Sequence, residues 1–474
     1  MCFEGILMNV ILLPLLSVFY NIPIHTSNLY PSSSVLWQPQ QTKATQLVSK
    51  HKMIGLDKRL APLLAVAIFV LCGCYSTERL SDQNLAFIYD KKATVLNPEF
   101  RVTHQNDSVS LLNFRIASSE LLYLQNSASG FYSAEFRLRY EVYSQLESRI
   151  VVDSTVVLFQ DSVLALTNRY IEGTLRFKPS KYATALLKLD LVDLKRNTRS
   201  RKYIGIDRTN ANCRQFFNVT EAKENVPFYK DYLAKDEQIQ ISHTSGVNQA
   251  KVLYYSRDFP LPKPPFSTEG PAPFNYQPDS VFVISLDVPV SFPLVGMYHI
   301  QVNDSTRDGL TLYRFREGFP RVVEVDDLIA PLRYINSNQE FKKLTSADFP
   351  KAEVDRFWLA LAGNPDRARI LIEKYYSRVQ DANSYFSSFT EGWRSDRGMV
   401  YLIFGPPNTL YKNSSSEQWT YGEPGNPTSV TFVFVRVNNP FTDNDYRLER
   451  SQLYKDNWFR AVDMWRQGRI YLDN

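Results

Sequence analysis

The stretch Ala134-Glu-Phe-Arg-Leu-Arg-Tyr-Glu-Val-Tyr143 alternates apolar and charged side chains almost without interruption. Successive side chains of a strand point to opposite faces. Phe136, Leu138, Tyr140 and Val142 therefore line one buried face, and Arg137, Arg139 and Glu141 a wet one. Similar runs stand at 111–116, 150–159 and 183–194, with Asn, Asp, Ser and Gly between several of them. Short strands at this spacing predict an antiparallel sandwich over 97–205. A second β-rich domain is expected over 206–322, its clearest strands at 251–259, 280–288 and 297–302. Between the first two lies Pro260-Leu-Pro-Lys-Pro-Pro265, followed by Pro271, Pro273 and Pro278. Proline fixes φ and supplies no ladder donor, so this stretch reads as a stiff extended loop, with partner docking as the functional alternative.

The pattern changes near residue 323. Val354, Phe357, Trp358 and Leu361 form one helical stripe. Asn364-Pro365 is a cap followed by proline at the first helical position, and Ile372, Tyr375, Val379, Ala382, Phe386 and Phe389 continue a second stripe. Residues 399–404 are continuously apolar and predict a strand covered on both faces. A further strand at 430–437 and a helix carrying Trp458, Ala461, Val462 and Trp465 complete an α+β domain over 323–474. The expected class is multidomain β plus α+β: tandem antiparallel β-sandwich domains followed by a C-terminal α+β domain. The 28 Tyr and 30 Phe agree with strands and exclude a disordered chain.

The amino terminus carries a different signal. From Met53 the chain runs Met-Ile-Gly-Leu-Asp-Lys-Arg, then an apolar stretch from Leu60 to Leu71, then Cys72-Gly73-Cys74. A basic start before about a dozen apolar residues fits a secretory signal over 53–73 and is too short to span a bilayer. Leu71-Cys72-Gly73-Cys74 resembles a lipobox. That resemblance implies cleavage before Cys74 and acylation of its thiol, with several acyl chains giving a stable anchor. Residues 1–52 lack a basic region ahead of their apolar stretch and are expected to be a gene-model extension, with Met53 as the start. Residues 74–96 read as a tether. The acids behind Cys74 are spread out, with Arg79 among them, which favours a periplasm-facing outer-membrane protein over a surface-exposed one.

Removing the five basic and two acidic residues of 1–73 leaves 49 basic against 47 acidic. No electrostatic footprint for nucleic acid survives. With Cys74 acylated, Cys213 is the remaining cysteine of the mature chain, so no disulfide framework is expected. The five histidines are scattered, and no nucleophile elbow, His-Glu-x-x-His pair, phosphate loop or Cys-x-x-Cys occurs. No catalytic residues, metal or cofactor are therefore assigned. Asp443-Asn444-Asp445 lacks the glycine and distal glutamate of a calcium loop and reads as a solvated turn.

One motif stands out. Gly392-Trp393-Arg394-Ser395-Asp396-Arg397-Gly398 precedes the apolar run, and Gly405-Pro406-Pro407 follows it. Together with Tyr375-Tyr376, Ala382-Asn383 and Asp445-Tyr446-Arg447-Leu448, these blocks resemble the GWxTD domain family of Bacteroidota envelope proteins over about the last 150 residues. Ser395 stands where the family name has threonine and retains the hydroxyl. The resemblance implies architecture rather than an activity. Physically, the glycines permit a tight reversal, Trp393 anchors it, Ser395 and Asp396 bond nearby donors, and Arg397 seeks a carboxylate. The alternative is a partner-binding motif. The leading expectation is a non-enzymatic envelope lipoprotein, membrane-anchored, whose C-terminal domain contacts a protein partner. The opposing class is a glycan-binding or carboxylate-dependent hydrolytic lipoprotein, which a concave pocket holding two carboxylates beside exposed Trp or Tyr would favour.

Overall fold

The computed structural model describes residues 79–471, apart from 107, 179–182, 257–258, 271–273, 424–425 and 427–428. Met53, the signal segment and Cys74 lie outside the described residues, as do Pro271 and Pro273. The first sandwich contains β1 (Glu99–Asn106), β2 (Val109–Ala117), β3 (Leu124–Gln125), β4 (Tyr132–Tyr143), β5 (Val151–Val163), β6 (Tyr170–Phe177), β7 (Thr184–Asp193) and β8 (Thr198–Asp207). One sheet has the order β1-β2-β6 and the other β3-β4-β7-β8, with β5 paired to β4. The alternation in β4 holds as far as Tyr140. Phe136, Leu138 and Tyr140 are buried against Phe114 and Leu187, while Arg139 is exposed. Glu141, expected on the wet face, is instead buried and pairs with Lys188 at 2.8 Å.

The second sandwich contains β9 (Phe217–Glu221), β10 (Gln238–His243), β11 (Gln249–Tyr255), β12 (Ser280–Ser285), β13 (Pro289–Ser291), β14 (Gly296–Gln301) and β15 (Leu310–Arg314). Its sheets run β13-β10-β9 and β12-β11-β14-β15, every pairing antiparallel. Val219, Ile241, Val252, Ile300 and Leu312 fill the space between them.

The C-terminal domain begins with α1 (Val325–Ile329), α2 (Asn338–Thr345), α3 (Pro350–Ala362) and α4 (Pro365–Phe386). The side chain of Asn364 accepts the Arg367 N–H and caps α4, with Pro365 in the first turn, as its sequence signature requires. There follow α5 (Asp396–Phe404), β16 (Thr409–Lys412), β17 (Ser416–Tyr421), β18 (Val430–Arg436), β19 (Tyr446–Leu448) and α6 (Lys455–Arg466). The four strands form one antiparallel sheet in sequence order. Trp358, Trp419 and Trp465 are fully buried in the shared core.

Two expectations need correction. Residues 399–404 are helix, not strand. A short apolar run does not distinguish a buried strand from a buried helix, and here the Ser395 cap starts a helix in which every residue from Asp396 to Phe404 is buried. The tether reading of 74–96 fails over its described part, 79–96. That segment forms three short 3-10 turns that lie on the C-terminal domain. The Leu85 N–H donates to the Leu410 carbonyl, and Leu85 and Tyr89 belong to the helical core. The described part of the proline-rich stretch is a loop, as expected, and it packs within the chain. Ser451 N–H donates to the Pro265 carbonyl at 3.1 Å, and Arg450 reaches the Lys263 carbonyl at 3.0 Å.

The three described histidines are structural. His104, His243 and His299 each place Nε2 against a backbone carbonyl, of Asp207, Ala211 and Arg307, and Nδ1 against a hydroxyl. A carbonyl only accepts, so Nε2 donates and the neutral tautomer satisfies both ring nitrogens. Burial, aided at His104 by Arg208, pushes His104 down to about 4, and burial does the same at His299. Unfolded imidazoles titrate near 6.5, so between those values the unfolded chain binds protons that the folded chain does not. Stability therefore falls as pH drops from 6.5 towards 4. Thermal melts across this window should show a decline that a His104→Gln/His299→Gln protein largely loses. An unchanged slope in that variant would assign the decline to other groups.

Candidate functional site

The Gly-Trp motif forms the turn between α4 and α5. Asn383, near the end of α4, accepts the Trp393 N–H at 3.3 Å and donates to the Pro320 carbonyl at 3.1 Å. Ser387 accepts the Gly392 N–H at 2.8 Å. The glycines are required by close approach. A Cβ on Gly392 would stand 1.9 Å from the Ala382 carbonyl oxygen, and one on Gly398 would stand 1.9 Å from that of Gly392. Trp393 is buried edge-on to Tyr334, whose hydroxyl donates to the Trp393 carbonyl at 3.1 Å. Ser395 caps α5, accepting from Gly398 N–H at 3.0 Å and donating to the Gly392 carbonyl at 2.7 Å. Threonine has the same donor and acceptor.

The two charged residues of the motif part company. Asp396 accepts the Leu448 N–H at 2.8 Å and pairs with Arg450 at 2.5 Å. Arg397 turns inward, 1% exposed, and reaches a carboxylate that is 0% exposed: Glu417, at 3.1 Å. Its other nitrogen donates to Asn444, and its guanidinium lies 4.2 Å from the centre of the Tyr446 ring. Glu417 also receives Lys412 at 2.7 Å, Trp419 Nε1 at 3.0 Å and the Tyr89 hydroxyl at 3.0 Å. Burial raises the cost of the Glu417 charge, but Lys412 and Arg397 outweigh it and hold its pKa down at about 2. Asn444 is no solvated turn residue: its amide donates to the Tyr385 and Ser387 carbonyls, both at 3.0 Å. Asp445 is buried beside it and bonded to Asn439 at 2.9 Å.

Gly405 ends α5 at φ +84° against Arg378. That guanidinium donates to the Leu402 and Ile403 carbonyls, closing the helix. Pro406 is exposed and Pro407 buried. The motif residues are thus brought together, and the sequence reading missed their partners Tyr89, Arg378, Lys412, Glu417 and Asn444. Glu417 had a readable signal. It shares the inward face of an alternating strand with Trp419 and Tyr421, where an unpaired acid would be costly.

A second feature lies where both sandwiches meet the C-terminal domain: a cavity of about 1070 Å³ whose wall includes Glu99, Asp231, Tyr229, Asp443 and Tyr446. Its carboxylates are engaged. Glu99 pairs with Arg115 at 2.5 Å, Asp231 with Arg101 at 2.6 Å and Asp443 with Arg214 at 3.3 Å. Burial opposes the Asp231 charge, yet Arg214 and Arg101 hold it below the usual range. None of the described histidines lines this cavity.

Residues 296–467 match the model of the GWxTD domain. No curated protein matches the chain. Among solved structures, two of β-glucuronidase 2 from Bacteroides uniformis are similar over part of the chain. One is a calcium-binding mutant and the other is covalently bound to cyclophellitol-6-carboxylate aziridine. Each is 10% identical with a TM-score of 0.16. They cover 29% and 28% of this chain, which spans 16% and 17% of theirs.

Trp393→Ala should cost about 3–5 kcal/mol through the cavity it leaves, a large part of the roughly 5–15 kcal/mol holding a typical domain. Glu417→Gln should cost a similar amount, about 3–5 kcal/mol, because it strands two cations. Ser395→Thr should stay within about 0.5 kcal/mol, since the cap survives. Denaturant unfolding checks all three. Near-native stability in Trp393→Ala would remove its anchoring role.

Proposed function

We propose that this chain, whose residues 296–467 match the model of the GWxTD domain, is a cell-envelope lipoprotein with a non-enzymatic, protein-interaction role, anchored through Cys74 in the outer membrane and facing the periplasm. The observation that carries the non-enzymatic part is the full engagement of the motif. Trp393, Asp396, Arg397 and Gly398 are all buried, and both charges are matched inside the domain. Most groups suited to acid–base chemistry are engaged too. The described histidines bond to backbone carbonyls, and Glu99, Asp231 and Asp443 sit in ion pairs.

The signal over 53–73 and the lipobox supply the anchor. Five residues from Cys74 to Arg79 reach at most about 18 Å. Leu80 is buried in a cluster with Tyr143 and Leu146, and the Ser81 N–H donates to the Leu146 carbonyl. A lipid on Cys74 would therefore hold the first sandwich and β16 close to the bilayer. Such a short link suits a protein that works at the membrane surface against another envelope component.

Cys74→Ser is expected to abolish lipid labelling and to release the protein from membranes, while Cys213→Ser leaves both unchanged. Labelling that persists without Cys74 would end the anchor reading. In intact cells, crosslinking should give a discrete adduct with a second envelope protein. Recovery of the uncombined chain under conditions that crosslink known neighbours would defeat the interaction role.

A further inference from the structure

The cavity between the sandwiches and the C-terminal domain has a wall whose charges do not balance. Eight lysine and arginine side chains face four carboxylates there, and eight tyrosines stand among them. Glu99, Asp231 and Asp443 are already paired, and Glu120 accepts the Asn97 N–H at 2.6 Å. Two of the cations have no such partner. Neither Lys202 nor Arg436 makes an ion pair or a side-chain hydrogen bond among the described residues, although each lines the cavity. Burial pushes the Lys202 ammonium below its ordinary pKa, and Glu120 opposes this only through its field. Lys202 is therefore a part-buried cation without a partner, which is costly and gains most from an anion brought to it, while Arg436 lines the same cavity from an exposed position.

The tyrosines describe the rest of the ligand. Tyr170 and Tyr229 hold the Arg115 guanidinium 4.6 and 4.7 Å from their ring centres. That contact fixes both rings, and neither hydroxyl has a hydrogen-bond partner among the described residues. A phenol both donates and accepts, as a sugar hydroxyl does, and an aromatic face packs on the apolar face of a sugar ring. The volume, about 1070 Å³, lies just above the roughly 300–1,000 Å³ of small-ligand sites and suits more than one ring.

We propose that this cavity binds an anionic oligosaccharide, with Lys202 and Arg436 taking its acidic groups and the tyrosines its rings and hydroxyls. The site is independent of the lipid anchor and involves no bond cleavage. An acidic peptide offers the same charge but not the run of hydroxyls that the free phenols match.

Titration calorimetry on the full chain in detergent tests this, with short oligogalacturonates as the probe. Saturable binding is expected, weakening as salt is raised, and exceeding that of neutral malto-oligosaccharides. Lys202→Met and Arg436→Met should each lose roughly tenfold in affinity at unchanged melting temperature, and Tyr229→Phe should lose less. Absence of binding would overturn the proposal, and so would equal binding of the neutral sugars. Tighter binding of oligoglutamate would make the site a peptide site instead. Affinity untouched by both cation variants would place binding elsewhere. Should those variants melt early, the salt dependence of the unaltered protein and its preference over neutral sugars decide the matter.

Discussion

The pairing of Arg397 with Glu417 organises the C-terminal domain. Both groups are essentially withdrawn from water, and each alone would be a severe burden there. Together, with Lys412, Trp419, Asn444 and the Tyr89 hydroxyl, they are matched on nearly every side. The network ties four parts of the chain: the start of α5, strands β16 and β17, the loop before β19, and the 3-10 segment around Tyr89. A buried ion pair is weak evidence for net stability, but its geometric demands are strict. Only one register of α5 against β17 lets the guanidinium meet the carboxylate.

The glycines of the motif serve that register. Gly392 lets the turn press onto the end of α4, and Gly398 lets the first coil of α5 press onto that turn, at distances that any side chain would forbid. Ser395 then starts the helix, and Asp396, pointing the other way from Arg397, holds β19 and Arg450. Arg450 in turn touches the proline-rich loop at Lys263. Charge placement within three consecutive residues therefore links the helical layer, the sheet and the second sandwich. This makes the motif a structural junction whose charges are matched inside the domain.

The cavity answers the contest between function classes only in part. It has carboxylates beside tyrosines, the arrangement that a glycan-directed protein would need. Three of those four carboxylates are neutralised by Arg101, Arg115 and Arg214, the fourth, Glu120, has no ion pair among the described residues, and the surplus charge is positive. Such a wall suits holding an anion better than cleaving a glycosidic bond, which requires one protonated and one ionised acid facing the same atom.

Much of the architecture was legible in sequence because it depends on local periodicity. The alternation in β4, the stripe of α3 and the Asn364-Pro365 start of α4 state their own structure, and hydrophobic burial enforces it. The blocks around Gly392-Trp393 likewise marked the GWxTD domain and the residues that build its turn. Periodicity failed at 399–404, where a run apolar on every side is equally consistent with a covered strand and a buried helix. The serine cap and the packing around the run made it a helix. What only the tertiary structure decided were the long-range pairings. Arg397 needed a carboxylate twenty residues away rather than its neighbour Asp396, and Tyr89 crosses more than three hundred residues to meet it. Such contacts leave no local mark, because a charged or polar side chain reads the same in sequence whether it faces water or a partner brought to it by the fold.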